Sequence, residues 1–162
     1  MKWSRWLEKW GMSNLKINLG FAEMEFQPQD EDRDAAWEMY IELLTRITTQ
    51  ALPLESGDEL TALKSIYSLF PTTREIIKRH KRHAQEFTKI AIIVLNQVVR
   101  PFTAKWHKLS LQQAFDDPEM CRQFRQELEA LQQQLIHYTA MLGDMAGVEK
   151  DLILLEQLEE TN

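Results

Sequence analysis

This chain has few of the residues that disulfide-bonded, sheet-rich or membrane-spanning proteins need. Its 162 residues include one cysteine, Cys121, which excludes an internal disulfide and a cysteine-based structural zinc site. The five glycines and five prolines are fewer than turn-rich β folds require, so the composition favours helices. The longest apolar run, Ile90 to Leu95, is far shorter than the roughly 20 residues that cross a bilayer. Because the first residues also lack the apolar core of a signal peptide, we expect a cytoplasmic protein, with a peripheral membrane location as the alternative.

Charge is distributed in blocks along the chain. The net charge of −6 combines +1 over residues 1–29, −7 over 30–62, +8 over 63–110 and −8 over 111–162. The basic block either pairs with its acidic neighbours, which we favour, or forms an exposed surface for an anionic partner. The basic surface would consist of Arg74, Lys78, Arg79, Lys81 and Arg82. A pI near 5.3 argues against a dedicated nucleic-acid protein, so nucleic acid is not the favoured partner.

The N-terminal segment, residues 1–29, predicts a short amphipathic helix followed by an extended arm. Between residues 2 and 10, apolar side chains recur at helical spacing on one face, with basic side chains opposite. Residues 15–26 then alternate with a period of two, which is typical of a strand. We assign both elements to partner binding through Trp3, Trp6, Leu7, Trp10, Leu15, Ile17, Leu19 and Phe21. A membrane surface is the alternative ligand of residues 2–10, because their polar face is basic.

The predicted strand also predicts self-association. The rest of the chain supplies helices and no obvious second strand, so the backbone groups of residues 15–26 would lack a partner. We therefore expect a homo-oligomer, most simply a two-fold dimer, in which residues 15–26 help form the interface. A larger protein partner is the other expectation.

Residues 30–110 predict the core of a mainly α fold, a helical bundle. Acidic residues at 30–34 mark a helix start, because they complement the positive end of the helix dipole. We expect this helix to run from about Asp32 to Ala51. The segment from 84 to 99 is apolar on nearly all sides and predicts a buried central helix, which Pro101 should kink.

Residues 111–162 predict a C-terminal helical hairpin of the coiled-coil type. Its first helix begins at Asp117 and Pro118, and its apolar positions then alternate in spacings of three and four residues. These positions are Cys121, Phe124, Leu128, Leu131, Leu135, Tyr138, Leu142 and Met145. A second short helix is predicted from the apolar residues Val148, Leu152, Leu155 and Leu158. We favour packing of this seam within the chain, and the alternative is pairing between two chains.

The string Arg100-Pro-Phe-Thr-Ala-Lys-Trp-His107 places an arginine and a histidine on one bundle helix. This spacing resembles the catalytic pattern of HEPN-type ribonucleases, and the resemblance implies a dimer that brings Arg100 and His107 to an RNA backbone. A comparable pair recurs at Arg74 and His80, and Pro101 occupies a position that is usually polar in that family. We therefore favour a structural role for Arg100 and His107 at a helix end.

The sequence predicts no metal and no cofactor. His80 and His83 lie one helix turn apart, but no carboxylate or thiol completes a ligand set, and Lys81 and Arg82 repel a cation. A glycine-rich phosphate loop, a nucleophile elbow and a zinc-protease motif are absent as well.

Three strings carry a broader resemblance: Asp34-Ala-Ala-Trp37, Leu44-Thr-Arg46 and Arg100 to His107. They resemble uncharacterised helical proteins of bacterial mobile and defence-type loci, over residues 15–130, and the resemblance brings no active site with it. We therefore predict a non-catalytic interaction or assembly subunit of a bacterial multi-protein system, related to antiviral defence. The alternatives are a HEPN-like ribonuclease that uses Arg100 and His107, and a peripheral membrane adaptor.

Overall fold

The structure is a computed structural model that describes residues 1–53 and 58–148. Over these residues the chain is mainly helical, which confirms the prediction of a mainly α fold. The α-helices are α1 (Trp3–Lys9), α2 (Leu19–Glu23), α3 (Asp30–Leu44), α4 (Glu59–Tyr67), α5 (Leu69–His80), α6 (Gln85–Val94), α7 (Arg100–Leu111) and α8 (Pro118–Ala146). Two 3₁₀ turns, Lys81–His83 and Ala114–Asp116, and a π-helical segment, Leu95–Val99, complete the described elements.

Helices α3 and α8 form the most extensive helix pair of the described chain, and their facing side chains lie in the core. The seam positions of α8 are buried from Phe124 to Met145, so this part of the seam packs within the chain. A Cβ atom on Gly143 would lie 3.2 Å from Cε2 of Tyr40, so the glycine lets α3 approach α8 closely. Most of the second arm predicted for the hairpin falls on residues 149–162, outside the described residues.

Helix α3 ends earlier than the sequence predicts, at Leu44 rather than near Ala51. The hydroxyl groups of Thr48 and Thr49 both donate to the Leu43 carbonyl, at 2.7 and 3.0 Å. Threonine side chains that bond to nearby backbone groups compete with the helix, and β-branched residues propagate it poorly. The helix therefore ends in a turn that these side chains stabilise.

Helix α6, the π-helical segment and α7 follow one another without a break from Gln85 to Leu111. Pro101 has no N–H group, and its ring crowds the Gln97 carbonyl that an α-helix would bring to it. The wider π-helical turn immediately before the proline accommodates this mismatch. The irregularity predicted at Pro101 thus takes the form of a π-helical segment.

Residues 15–26 form no strand, and this prediction is wrong. Helix α2 begins after Asn18, whose side-chain oxygen accepts a hydrogen bond from the Phe21 N–H at 2.7 Å. The Gln97 side chain accepts from the Lys16 N–H at 2.8 Å and donates to the Lys16 carbonyl at 2.7 Å. A side-chain amide therefore satisfies backbone groups that a second strand would otherwise pair. In the described residues, β-type pairing of this segment is limited to one bridge between Lys2 and Glu25.

The apolar face of α1 packs against the rest of the same chain. Trp3 and Trp6 are fully buried, and the Trp6 ring stacks on Phe26 with a centroid distance of 4.0 Å. The Trp6 Nε1–H donates to Oδ2 of Asp144 on α8 at 2.7 Å, and the Trp3 Nε1–H donates to Oε2 of Glu86 on α6 at 3.1 Å. These bonds attach the N-terminal helix to two distant helices of the bundle.

Candidate functional site

The residues assigned to partner binding from the sequence lie mostly inside the fold. Four of them are buried, namely Trp3, Trp6, Leu7 and Leu15, and three are partly buried, namely Trp10, Ile17 and Phe21. The remaining side chain, Leu19, is 78% exposed. This set therefore offers one fully exposed apolar side chain to a partner.

The basic surface predicted at residues 74–82 lies on α5 and on the following 3₁₀ turn, and its members are exposed. Within the described residues, Arg79 is the member that forms an ion pair, with Glu38. The Nε2 atom of His80 lies 3.1 Å from Oε1 of the same Glu38. Arg79 and His80 on α5 thus share one carboxylate of α3.

Ion pairing covers a minority of the basic block. Of the ten lysines and arginines in residues 63–110, three pair with carboxylates of the described chain: Arg79, Lys89 and Lys105. The other seven have no ion pair among the described residues, and they are Lys64, Arg74, Lys78, Lys81, Arg82, Arg100 and Lys108. Internal pairing is therefore observed for three residues of this block, and for the other seven it stays a prediction.

A row of rings lies where α4 and α5 meet α7. The Tyr67 ring lies 4.9 Å from the His107 ring and 5.6 Å from the Phe70 ring, between centroids. The Arg100 guanidinium carbon lies 4.8 Å from the centroid of Phe70. We call these four residues, in the order His107, Tyr67, Phe70 and Arg100, the basic–aromatic row. Tyr67 is 47% exposed and Arg100 is exposed, whereas Phe70 is buried beneath them.

Arg100 and His107 lie on one side of α7 but have different neighbours. They are seven positions apart in helix α7, so their Cα atoms are about 10 Å apart along the helix axis. The Arg100 Nε–H donates to Oδ1 of Asn96 at 3.2 Å, whereas His107 contacts Tyr67. Within the described chain, no hydrogen bond joins the His107 ring to a titratable side chain. This arrangement provides a cationic surface rather than an assembled acid–base pair.

Further cations lie close in sequence to the members of the basic–aromatic row. Lys64 precedes Tyr67 by three residues on α4, and Lys108 follows His107 on α7; both lysines are exposed. Arg74 follows Phe70 by four residues on α5, which places it on the same side of that helix. Helix α7 contains no acidic residue. The row therefore joins the predicted basic surface on α5 to a positively charged face of α7.

Sequence reasoning identified Arg100 and His107 but missed Tyr67 and Phe70. The two aromatic side chains belong to other helices, and no local pattern links them to α7. Pro71, which follows Phe70 directly, and the short gap between α4 and α5 at Ser68 signal a helix junction there. A helix junction rich in aromatic residues is the sequence signal that could have directed attention to this place.

A groove of about 280 Å³ lies between α3 and α5, and its lining includes Trp37, Glu42 and Glu75. Its carboxylates are accompanied by Arg79 on the same wall, so its charge is mixed. No group of three histidine, cysteine, aspartate or glutamate side chains in the described residues is arranged to hold a metal ion.

The described helices also lack the combination of length and apolar character that crossing a membrane requires. The surface with the most consistent chemistry is thus the basic–aromatic row with its neighbouring cations. No family model, no curated protein and no solved structure matches this chain.

Proposed function

We propose that this chain is a non-catalytic interaction subunit of a bacterial multi-protein assembly, and that it binds an anionic macromolecule through the basic–aromatic row and its cations. One observation carries the proposal: seven of the ten basic residues in the central block have no ion pair among the described residues. Like charges held close together on a folded surface repel one another, and an anionic partner relieves that repulsion.

The overall acidity of the chain does not oppose this proposal. The net charge of −6 is a sum over the whole chain. Helix α5 contains one acidic residue, Glu75, and helix α7 contains none. A local positive potential raises the rate at which an anionic partner arrives and orients it on arrival. Burial of Trp3 and Trp6 also supports a macromolecular partner on this face over a membrane surface at residues 2–10.

Heparin affinity tests the proposal directly, because heparin is a polyanion without bases or peptide groups. We expect the charge reversals Lys64→Glu and Lys108→Glu, made together, to lower markedly the salt concentration at which the protein elutes. The matched control reverses Arg5 and Lys16 to glutamate, which are exposed and change the net charge equally. An equal decrease in both double variants would show that only net charge matters and would contradict the proposal.

A HEPN-like ribonuclease is the second candidate function, and the observation that favours it is the position of Arg100 and His107 on one side of α7. We expect the wild-type protein to leave an RNA pool intact in the presence of EDTA, because no acid–base pair is assembled in the described chain. Gel electrophoresis of the RNA measures this. Metal-independent cleavage that disappears in both His107→Ala and Arg100→Ala, with the fold retained, would overturn the non-catalytic assignment.

Self-association is the second part of the proposal. The Phe26 N–H donates to the Met1 carbonyl at 2.8 Å, and the Trp3 N–H donates to the Met24 carbonyl at 3.0 Å. These bonds join the two segments, which carry three exposed apolar side chains, Met1, Leu19 and Met24. We propose that this N-terminal apolar patch, Met1, Leu19 and Met24, forms the contact of a two-fold dimer.

Light scattering coupled to gel filtration measures the expected dimer. We expect a dimer mass for the wild type and a monomer mass for the variant Leu19→Glu with Met24→Glu, because charge is costly in an apolar contact. Leu111→Glu is the matched control, since Leu111 is 82% exposed and lies on α7. A wild type that stays monomeric at high micromolar concentration would exclude this contact.

The finer architecture of the C-terminal segment also belongs to the proposal. We propose that α8 is one arm of a coiled-coil-like hairpin, because its apolar positions keep heptad spacing. The second arm that the sequence predicts lies outside the described residues.

A further inference from the structure

We infer that the basic–aromatic row binds single-stranded nucleic acid, with a base stacked on Tyr67 and the backbone phosphates held by Arg100 and the neighbouring lysines. This inference rests on the proposed function, because it names the anionic macromolecule that the surface takes. Two features of the described residues must be explained together: cations without a carboxylate at ion-pair distance, and a half-exposed aromatic ring close to them in the fold.

The Tyr67 ring is positioned to stack with a base. Contacts with His107 and Phe70 hold the ring from within the protein, while 47% of the residue is exposed to solvent. Unpaired bases stack on such rings whatever their sequence, because every base has a π face. The bases of a duplex are already stacked on one another and cannot occupy this position.

Arg100 is positioned to bind phosphate. Its guanidinium group lies over the Phe70 ring, and its Nε–H is engaged by Asn96. These two contacts fix the plane of the guanidinium group. Fixing the plane in advance reduces the entropy lost when the terminal N–H groups bind a phosphate through two parallel hydrogen bonds.

The electrostatic surroundings suit a chain of phosphates. Lys64, three residues before Tyr67 on α4, and Lys108, next to His107 in the sequence of α7, are exposed, and neither forms an ion pair within the described residues. The acidic residue of α5, Glu75, lines the groove toward α3 instead. Cations interleaved with exposed rings are the pattern of proteins that bind single strands.

An acidic protein is the competing ligand, and the row fits it less well. Carboxylates bind cations and can accept a hydrogen bond from the Tyr67 hydroxyl group, but they do not stack on its ring. An acidic partner would therefore leave the exposed face of the ring unused. The dependence of binding on the Tyr67 ring therefore separates the two ligands.

Fluorescence anisotropy with labelled 20-nucleotide poly-uridine RNA, poly-thymidine DNA and a 20-base-pair RNA duplex tests the inference. We expect both single strands to bind more tightly than the duplex, with an affinity that falls as salt increases, because phosphate contacts release counterions. Equal binding of poly-uridine and poly-thymidine would support recognition through base stacking and phosphate contacts, which RNA and DNA share. A preference for one of them would identify RNA or DNA as the ligand.

Variants at exposed aromatic positions provide the decisive comparison. Tyr67→Ala should weaken binding of the single strands about tenfold, whereas Tyr67→Phe should keep it, because stacking needs the ring and not the hydroxyl group. Trp37→Ala is the matched control: Trp37 is 46% exposed, lies on α3, and should have no effect. Circular dichroism of each variant confirms that the fold is retained.

Three results would overturn the inference. The first is duplex binding as tight as single-strand binding; the second is a loss in Trp37→Ala equal to that in Tyr67→Ala. The third is tighter binding of poly-glutamate than of either strand, unchanged by Tyr67→Ala, which would assign the row to an acidic protein. In each case, a protein that still binds heparin would support the proposed function. A protein that binds neither heparin nor the single strands would contradict both the proposed function and this inference.

Discussion

Replacing Trp6 by alanine is expected to lower the free energy of unfolding by about 3–5 kcal/mol, the usual cost of removing a large buried aromatic side chain. The Trp6 ring is stacked on Phe26 and lies edge-on to Trp3 at 5.4 Å between centroids. Its removal leaves a cavity at the junction of α1 with the bundle and breaks the bond from Nε1 to Asp144. Urea unfolding followed by circular dichroism measures the change.

Trp10 provides the control for this prediction, because its Nε1–H donates to the same Oδ2 atom of Asp144, at 3.1 Å. Trp10 is only partly buried, so Trp10→Ala removes a similar hydrogen bond with much less buried ring surface. We expect its effect to be well below half that of Trp6→Ala. Equal effects in the two variants would show that the hydrogen bond, and not the packing of the ring, attaches α1.

The packing of α1 in the core also determines the expected effect of deleting the N-terminal segment. Deletion of residues 1–27 removes Trp3 and Trp6 from the core, so we expect a destabilised protein rather than a well-folded monomer. Point substitutions in the N-terminal apolar patch are therefore the appropriate test of dimer formation, because they leave the core intact.

The spacing of apolar residues predicted helix α8 because this pattern depends on a single segment of the chain. A start at Asp117 and Pro118 is visible in the sequence, and the structure has α8 begin there, with the Asp117 side chain accepting from the Glu119 N–H. The heptad spacing also predicts which side chains share a face. Nothing in the spacing says which helix covers that face, and α3 does so for reasons of global packing.

Periodicity failed at residues 15–26 because strand pairing is a property of two segments. The alternating side chains Leu15, Ile17 and Phe21 do turn toward the core, from a coil and the short helix α2. Alternation thus predicted the burial of these three side chains correctly, but it was wrong for Leu19, which is 78% exposed, and wrong for the backbone conformation. A side-chain amide from the π-helical segment took the place of a second strand, and no local pattern indicates such a contact.

The candidate site shows the same division between local and distant information. Arg100 and His107 stand out because they share a helix, whereas Tyr67 and Phe70 are brought to them by the packing of α4 and α5 on α7. The sequence likewise does not determine whether the basic side chains of residues 63–110 form ion pairs, because ion pairing depends on which helices become neighbours.

Asp32→Ala is expected to cost about 2–4 kcal/mol, because a buried carboxylate that serves two helices leaves two N–H groups without a partner. Asp32 is 1% exposed. Its Oδ2 accepts from the Gln29 N–H at 2.8 Å, which closes the capping box of α3, and its Oδ1 accepts from the Phe87 N–H at 3.0 Å in the first turn of α6. One side chain thus fixes the starts of two core helices relative to each other.

Asp34→Ala is the matched control, since Asp34 is exposed on the same helix and should change stability by less than about 0.5 kcal/mol. Asp32→Asn should fall between the two, because an amide keeps one acceptor oxygen but directs an N–H group at one of the two donors. Urea unfolding ranks the three variants, and hydrogen exchange at the Phe87 amide should accelerate most in Asp32→Ala. If Asp32→Ala were as stable as Asp34→Ala, the starts of α3 and α6 would be held by the packing of their apolar faces alone.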